Sequence, residues 1–204
     1  MLPGHLSRLV VLSFAVALAS CSDSTDTGGK QTNELRFLRL DPAAPPLVTQ
    51  RDSFYAKVSE DRELRMYFRP RPLEEDSTEF LRFRVDAGAL SRRPDGSSFA
   101  ANDSILITVT MTDISRLIVD FQPSGLRFSA QRPARLKIRY EHADHDFDED
   151  GDEDDRDILL EGAFNIWKRE NATAPWFPLG SIRHLELDEV EADILGFTNH
   201  ALAY

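Results

Sequence analysis

The stretch "DHDFDEDGDEDDRD", residues 144–157, holds the side chains best suited to chemistry in this chain. Ten of its fourteen residues are acidic, and Arg156 is its only base. Asp146, Asp148, Asp150, Gly151, Asp152, Asp154 and Asp157 fall at positions 1, 3, 5, 6, 7, 9 and 12 of a twelve-residue frame. That spacing suits a calcium ion. Oxygens from alternate residues converge, a glycine at the sixth place permits a sharp turn, and the seventh offers its carbonyl. The carboxylate at the twelfth place closes the shell. The predicted metal ligands are therefore Asp146, Asp148, Asp150, Asp152, Asp154 and Asp157, with calcium as the ion. The rival reading is a solvated, mobile acidic insertion, the usual nature of a charge run. His142 precedes the stretch and His145 lies at its start. Calcium prefers oxygen, so both are expected to be solvated loop residues.

Two features separate this loop from the EF-hand. Its eighth position, normally apolar, is Glu153, and the flanks "RLKIRY" and "ILLEGAFNIW" both read as strands. The loop instead resembles the Asp-x-Asp-x-Asp-Gly loops of bacterial surface proteins and dockerins, here set between strands.

The elements that must position it are β-strands. Alternation places Leu64, Met66 and Phe68 on one face, and likewise Leu81, Phe83 and Val85. The same period aligns Ile105, Ile107, Val109 and Met111, then Leu117, Val119 and Phe121, then Leu136, Ile138 and Tyr140. Leu35 and Phe37 open an earlier segment; "LEGAFNIW" and "VEADIL" supply later strands, and "RHLELDEVEA" passes for a helix by propensity and fits a strand or a turn and strand equally well. Turn signals such as "PDGSS" and "QPSG" lie between. Short strands at this spacing predict an all-β, antiparallel β-sandwich. The 41% hydrophobic content is enough for its core.

The chain opens with Arg8, an apolar run from Leu9 to Leu18, and the small residues Ala19 and Ser20 before its only cysteine, Cys21. This is the layout of an export signal, and the run is too short to span a bilayer. Leu18-Ala19-Ser20-Cys21 resembles the bacterial lipoprotein box. The resemblance implies cleavage before Cys21, lipid on its sulfur, and an anchored protein of the cell envelope. Ser22, rather than aspartate, then favours the outer membrane or cell surface. Residues 22–33 are small and polar and read as a tether. The predicted organisation is signal peptide 1–20, lipidated cysteine and tether 21–33, and sandwich 34–204.

From Val85 onward, several phrases stand in an order similar to that of ZU-five domains. They are "VDAGAL", "FQPSGLRFSAQRPARLKIRY", the Trp167–Trp176 segment and the closing "VEADILGFTNHALAY". ZU-five domains are β-sandwiches of tight-junction scaffolds, netrin receptors and ankyrins, with relatives in bacterial envelope proteins. The resemblance covers roughly 120 residues, about one sandwich domain. It implies turns at Gly88 and Gly125 and burial of Trp167 and Trp176 between the sheets. Some relatives cleave themselves at His-Phe-Ser. Gly196, Phe197 and Thr198 match that site here, and without the assisting histidine the chain is expected to stay intact.

The net charge of −11 is concentrated in the acidic loop, which alone contributes −9, and no basic face for nucleic acid is apparent. No nucleophile elbow, phosphate-cradling glycine loop or His-Glu-x-x-His helix appears. The sequence therefore points to a non-enzymatic envelope lipoprotein that binds an unidentified protein or glycan, or serves structure. The alternative is a hydrolytic or carbohydrate-active accessory protein using the loop carboxylates, which would need a cleft and a fixed carboxylate separation.

Overall fold

The computed structural model describes residues 28–71 and 77–204. Cys21, the export signal and tether residues up to 27 lie outside the described residues. The alternating segments form β1 (Arg51–Lys57), β2 (Arg62–Tyr67), β3 (Glu79–Val85), β4 (Leu90–Arg92) and β5 (Ser104–Asp113). They continue as β6 (Ile118–Gln122), β7 (Arg127–Phe128) and β8 (Ala134–Arg139). After the acidic loop come helix α1 (Asp155–Glu161), β9 (Asn165–Arg169), β10 (Phe177–Pro178) and β11 (Ile182–His184). A short 3₁₀ turn at Leu185–Leu187 leads to β12 (Glu189–Ile194) and β13 (Asn199–Ala203).

The strands form an all-β sandwich. One sheet runs β1-β5-β6-β13-β9-β10, the other β11-β12-β8-β3-β2, and β4 pairs with β7 apart from both. Every neighbouring pair is antiparallel. Alternation directs Leu64, Met66, Leu81, Phe83, Leu136 and Ile138 inward from the second sheet. Ile107, Val109, Val119, Phe121, Ile166 and Leu202 meet them from the first. The Phe83 and Phe121 rings lie 4.9 Å apart across the interface. Gly88 and Gly125 both have positive φ, so these turns demand the freedom glycine supplies.

Three local expectations change. The segment after the acidic loop begins as helix α1, and the strand starts only at Asn165. Asp154 explains this: its side chain accepts a hydrogen bond from the Arg156 backbone and caps the first turn, overriding the β-leaning apolar residues behind it. The two tryptophans do not lie between the sheets. With Ile166 facing inward, Trp167 must face outward, and it joins Trp176, Leu35, Ile118, Ala201 and Ala203 on the outer face of the six-stranded sheet. The segment Lys30–Leu40 covers this cluster. It forms a 3₁₀ turn and isolated bridges instead of a regular strand.

That covering segment is tied to the end of the sandwich by backbone hydrogen bonds. Lys30 and Trp176 exchange two backbone hydrogen bonds of 2.8 Å, and Arg36 and Tyr204 exchange another two. Phe37 packs edge-on against Trp176 at 5.4 Å, and Trp167 Nε1 donates to the Ala203 carbonyl. Lys30, within the stretch predicted to be tether, is thus part of the packed body. Among the described residues, no helix is long and apolar enough to cross a membrane.

Candidate metal-binding loop

The acidic loop leaves the end of β8 and returns through α1. It is pinned by its single aromatic residue. Phe147 is buried, with its ring 4.8 Å from Phe164, and its carbonyl accepts a hydrogen bond from the Tyr204 hydroxyl. Two arginines of the covering segment hold the loop from outside. Arg36 donates to the Asp148 carbonyl, and Arg39 pairs with Glu149 at 3.0 Å. The loop is thus anchored at one end and does not project as a free insertion. Phe147 among ten acids was the available sequence signal for this anchor; the arginine contacts, more than a hundred residues away, left none.

Side-chain oxygens of Asp146, Asp148 and Asp157 lie within 4.8 Å of one another. These are positions 1, 3 and 12 of the frame. Asp146 accepts from the backbone of Asp150 at 3.0 Å and of Gly151 at 2.9 Å, which folds the loop around it. Gly151 adopts φ +97°, so the sharp turn falls at the sixth position as expected. Asp157 is buried. One of its oxygens accepts from Phe147 and Asp148, the other from Asp154. A carboxylate offers about four lone-pair sites, so the oxygen facing Asp154 keeps room for a cation.

The remaining three predicted ligands are not gathered. Asp150 pairs with Arg156 at 3.2 Å, Asp152 is exposed, and the Asp154 side chain is used in capping α1. Arg156, the loop's only base, thus partly neutralises the cluster from its rim. The electrostatics show what is left over. Burial, then repulsion from Asp150 and Asp157, holds the Asp148 carboxyl above its usual range. The backbone N–H of Asp154, joined by those of Asp148 and Phe147, holds Asp157 below it. The site thus favours the charged form of Asp157 and disfavours that of the neighbouring Asp148, a tension a bound cation would relieve.

The two histidines at the loop's entrance are packed, contrary to the expectation of solvated residues. His142 is buried with its ring 4.7 Å from Phe68, and His145 lies between Tyr140 and Phe147. Both follow from the tight return of the chain after β8, which presses the loop's entrance onto the sandwich. At the other end of the chain, Gly196 packs against Arg127, and the Thr198 hydroxyl donates to the Asn199 carbonyl. His200 is fully buried on the inner face of β13; its Nδ1 contacts the Thr198 carbonyl at 3.0 Å and its Nε2 has no partner.

A second set of potential ligands, His184, Glu189 and Glu191, meets at the β11–β12 pairing. Lys137 lies 2.7 Å from Glu189 and 3.6 Å from Glu191, and Arg139 lies 3.3 Å from Glu189. Resident cations already neutralise these carboxylates. The acidic loop is the better candidate, and its clustered carboxylates could hold a metal ion. No protein-family model matches this chain, and no curated protein or solved structure matches it either.

Proposed function

We propose that the protein is a non-enzymatic, lipid-anchored component of a bacterial cell envelope, at the outer membrane or cell surface. Its ZU-five-like sandwich serves binding or structure, and loop 144–157 binds calcium. The observation that carries the calcium reading is the convergence of Asp146, Asp148 and Asp157, with Gly151 turning at the sixth place and α1 starting behind a capping Asp154. Calcium would draw oxygens from these three carboxylates, with Asp150 turning in from Arg156 and Asp152 offering its carbonyl. Lipid anchoring rests on the Leu-Ala-Ser-Cys ending, and the ZU-five likeness on the order of the phrases quoted above.

A catalytic alternative needs two loop carboxylates facing one cleft, and the wider cavity beside the loop, about 210 Å³, takes only Glu149 from it. The cavity touching Asp144 and Asp146 holds only about 20 Å³, too little for a sugar ring. The test is calorimetric titration with calcium after chelator treatment. Heat of binding is expected at about 10⁻⁴ to 10⁻³ M, the range of extracellular modules. A rise in Tm should accompany it, on the order of 1 kcal/mol at calcium a few-fold above Kd. The double variant Asp148→Asn, Asp150→Asn should lose both effects. Neither heat nor a Tm shift in the wild type would overturn the reading.

A further inference from the structure

Helix α1 turns one face into the molecule and leaves the other open. Asp157 is buried and Leu160 packs on the core, so Ile158 and Leu159 point outward. They are 62% and 77% exposed, and Leu159 is the most exposed large apolar side chain among the described residues. A second exposed pair, Leu185 and Leu187, stands at the same end of the sandwich. Tyr140 ties the two places together. Its hydroxyl donates to Glu161 at the end of α1, and its backbone N–H donates to the carbonyl of Asp188, just after Leu187. Arg183 adds a hydrogen bond to the Phe164 carbonyl at 3.1 Å. Apolar side chains gathered at one end and left in water point to a contact surface.

We propose that this end of the sandwich lies on a lipid bilayer, with Ile158 and Leu159 inserted at the boundary between headgroups and acyl chains. The proposal rests on the lipid-anchor reading and adds to it a second membrane contact and an orientation. Cys21 is nine positions before Lys30, so the backbone between them spans at most about 30 Å. Lys30 bonds Trp176, next to the β9–β10 pairing, and the five residues of β9 cover about 17 Å from there back towards α1. A bilayer that holds a lipid on Cys21 is therefore within reach of α1, and the linkage keeps the helix concentrated beside it. Charge selects the kind of surface. Asp152, Glu153 and Asp155 are exposed beside the apolar pair, while Arg156 is engaged with Asp150. These acids repel an anionic surface and suit zwitterionic lipid, whose ammonium groups lie outermost.

The full chain, purified from growing bacteria, is reconstituted in chelator into phosphatidylcholine vesicles with brominated acyl chains. An environment-sensitive fluorophore is carried by Ala163→Cys, exposed just past α1, or by Ala101→Cys. Ala101 precedes β5 at Ser104, whereas the chain just after the other end of β5 meets Leu40, which bridges to Ala143 beside the acidic loop. The label at position 163 should shift to the blue and be quenched by bromine; the label at position 101 should stay in water. Ile158→Ser with Leu159→Ser should abolish the quenching and leave Tm unchanged, since both side chains already face solvent. One label per chain shows that the Cys21 sulfur is blocked. Two labels mean that Cys21 is free and the anchor reading has failed. Docking by α1 is then read from partition of the Cys21→Ser chain into the same vesicles, which the double serine change should weaken at least about tenfold. Four results overturn the proposal: no quenching at 163, equal quenching at both positions, quenching that survives the serine changes, or a blue shift of the Cys21→Ser chain at 163 that is the same without lipid, which would mean that a second copy covers the face.

Discussion

His200 should make the protein acid-sensitive well above the pH at which carboxylates titrate. Its imidazole is fully buried against Phe121, whose ring lies 5.1 Å away, and Nε2 meets no hydrogen-bond partner. Burial is the main cause that drives its pKa down from 6.5 to about 3; the hydrogen bond to Thr198 opposes the shift and the Lys168 charge adds to it. The folded protein therefore holds this ring neutral, whereas the unfolded chain protonates it near 6.5. The depressed pKa contributes stability that is complete above about pH 6.5 and is lost as pH falls towards 3. Each pH unit inside that window costs about 1.4 kcal/mol, so moving from about pH 8 to pH 5 should cost about 2 kcal/mol. That is a substantial share of the roughly 5–15 kcal/mol that holds a domain together. The depressed acids, Glu60, Asp86, Asp95, Asp103, Asp113 and Asp157, act as pH falls through their ordinary values near 4, below most of the window in which His200 acts. Denaturant unfolding at several pH values in chelator isolates the effect from any metal. His200→Gln should be less stable at neutral pH yet nearly flat between about pH 8 and 5. A wild type that is itself flat over that range, or a variant that keeps the full slope, would refute the reasoning.

Arg156→Gln should bind calcium a few-fold more tightly, because it removes the cation paired with Asp150; paired calorimetric titrations measure this, and weaker binding would count against that role. Trp176→Ala should cost about 3–5 kcal/mol in urea unfolding, since it empties a fully buried site and strips Phe37 and Leu35 of their platform. Labelled fatty acid should enter the wild type in growing bacteria and not Cys21→Ser; equal label in both would remove the lipid anchor from the proposal.

Alternation was enough to find the inner faces of β2, β3, β5, β6 and β8, because a period of two needs only local sequence. It failed where the chain's partner is distant. The covering segment reads as a strand from Leu35 and Phe37, but what it must satisfy is the far edge of β13 and the Trp176 backbone. Trp167 is large enough to be buried on either face of its sheet, and since its neighbour Ile166 takes the inner position, Trp167 takes the outer one and not the place between the sheets that the resemblance implies. In the loop, spacing located Asp146, Asp148, Asp157 and the Gly151 turn. It could not foresee that Asp154 would cap a helix or that Asp150 would turn to Arg156, since both depend on which groups compete for the same carboxylate.

The pairing of Arg36 with Tyr204 and of Lys30 with Trp176 also sets an order of events during synthesis. The backbones of Lys30, Arg36 and Leu38 find their partners in Trp176, Tyr204 and Leu202, residues made nearly 150 or more positions later. Until the ribosome has released the chain up to Tyr204, Leu35, Phe37 and Leu38 have nothing to cover, and Trp167 and Trp176 remain open to other chains. Closure over so long a span is slow, and the exposed aromatic face is the surface through which half-made copies would stick together. A chain that stalls before β13 leaves the covering segment and the Trp167–Trp176 face incompletely paired, which makes nascent chains halted between β9 and β13 the aggregation-prone species.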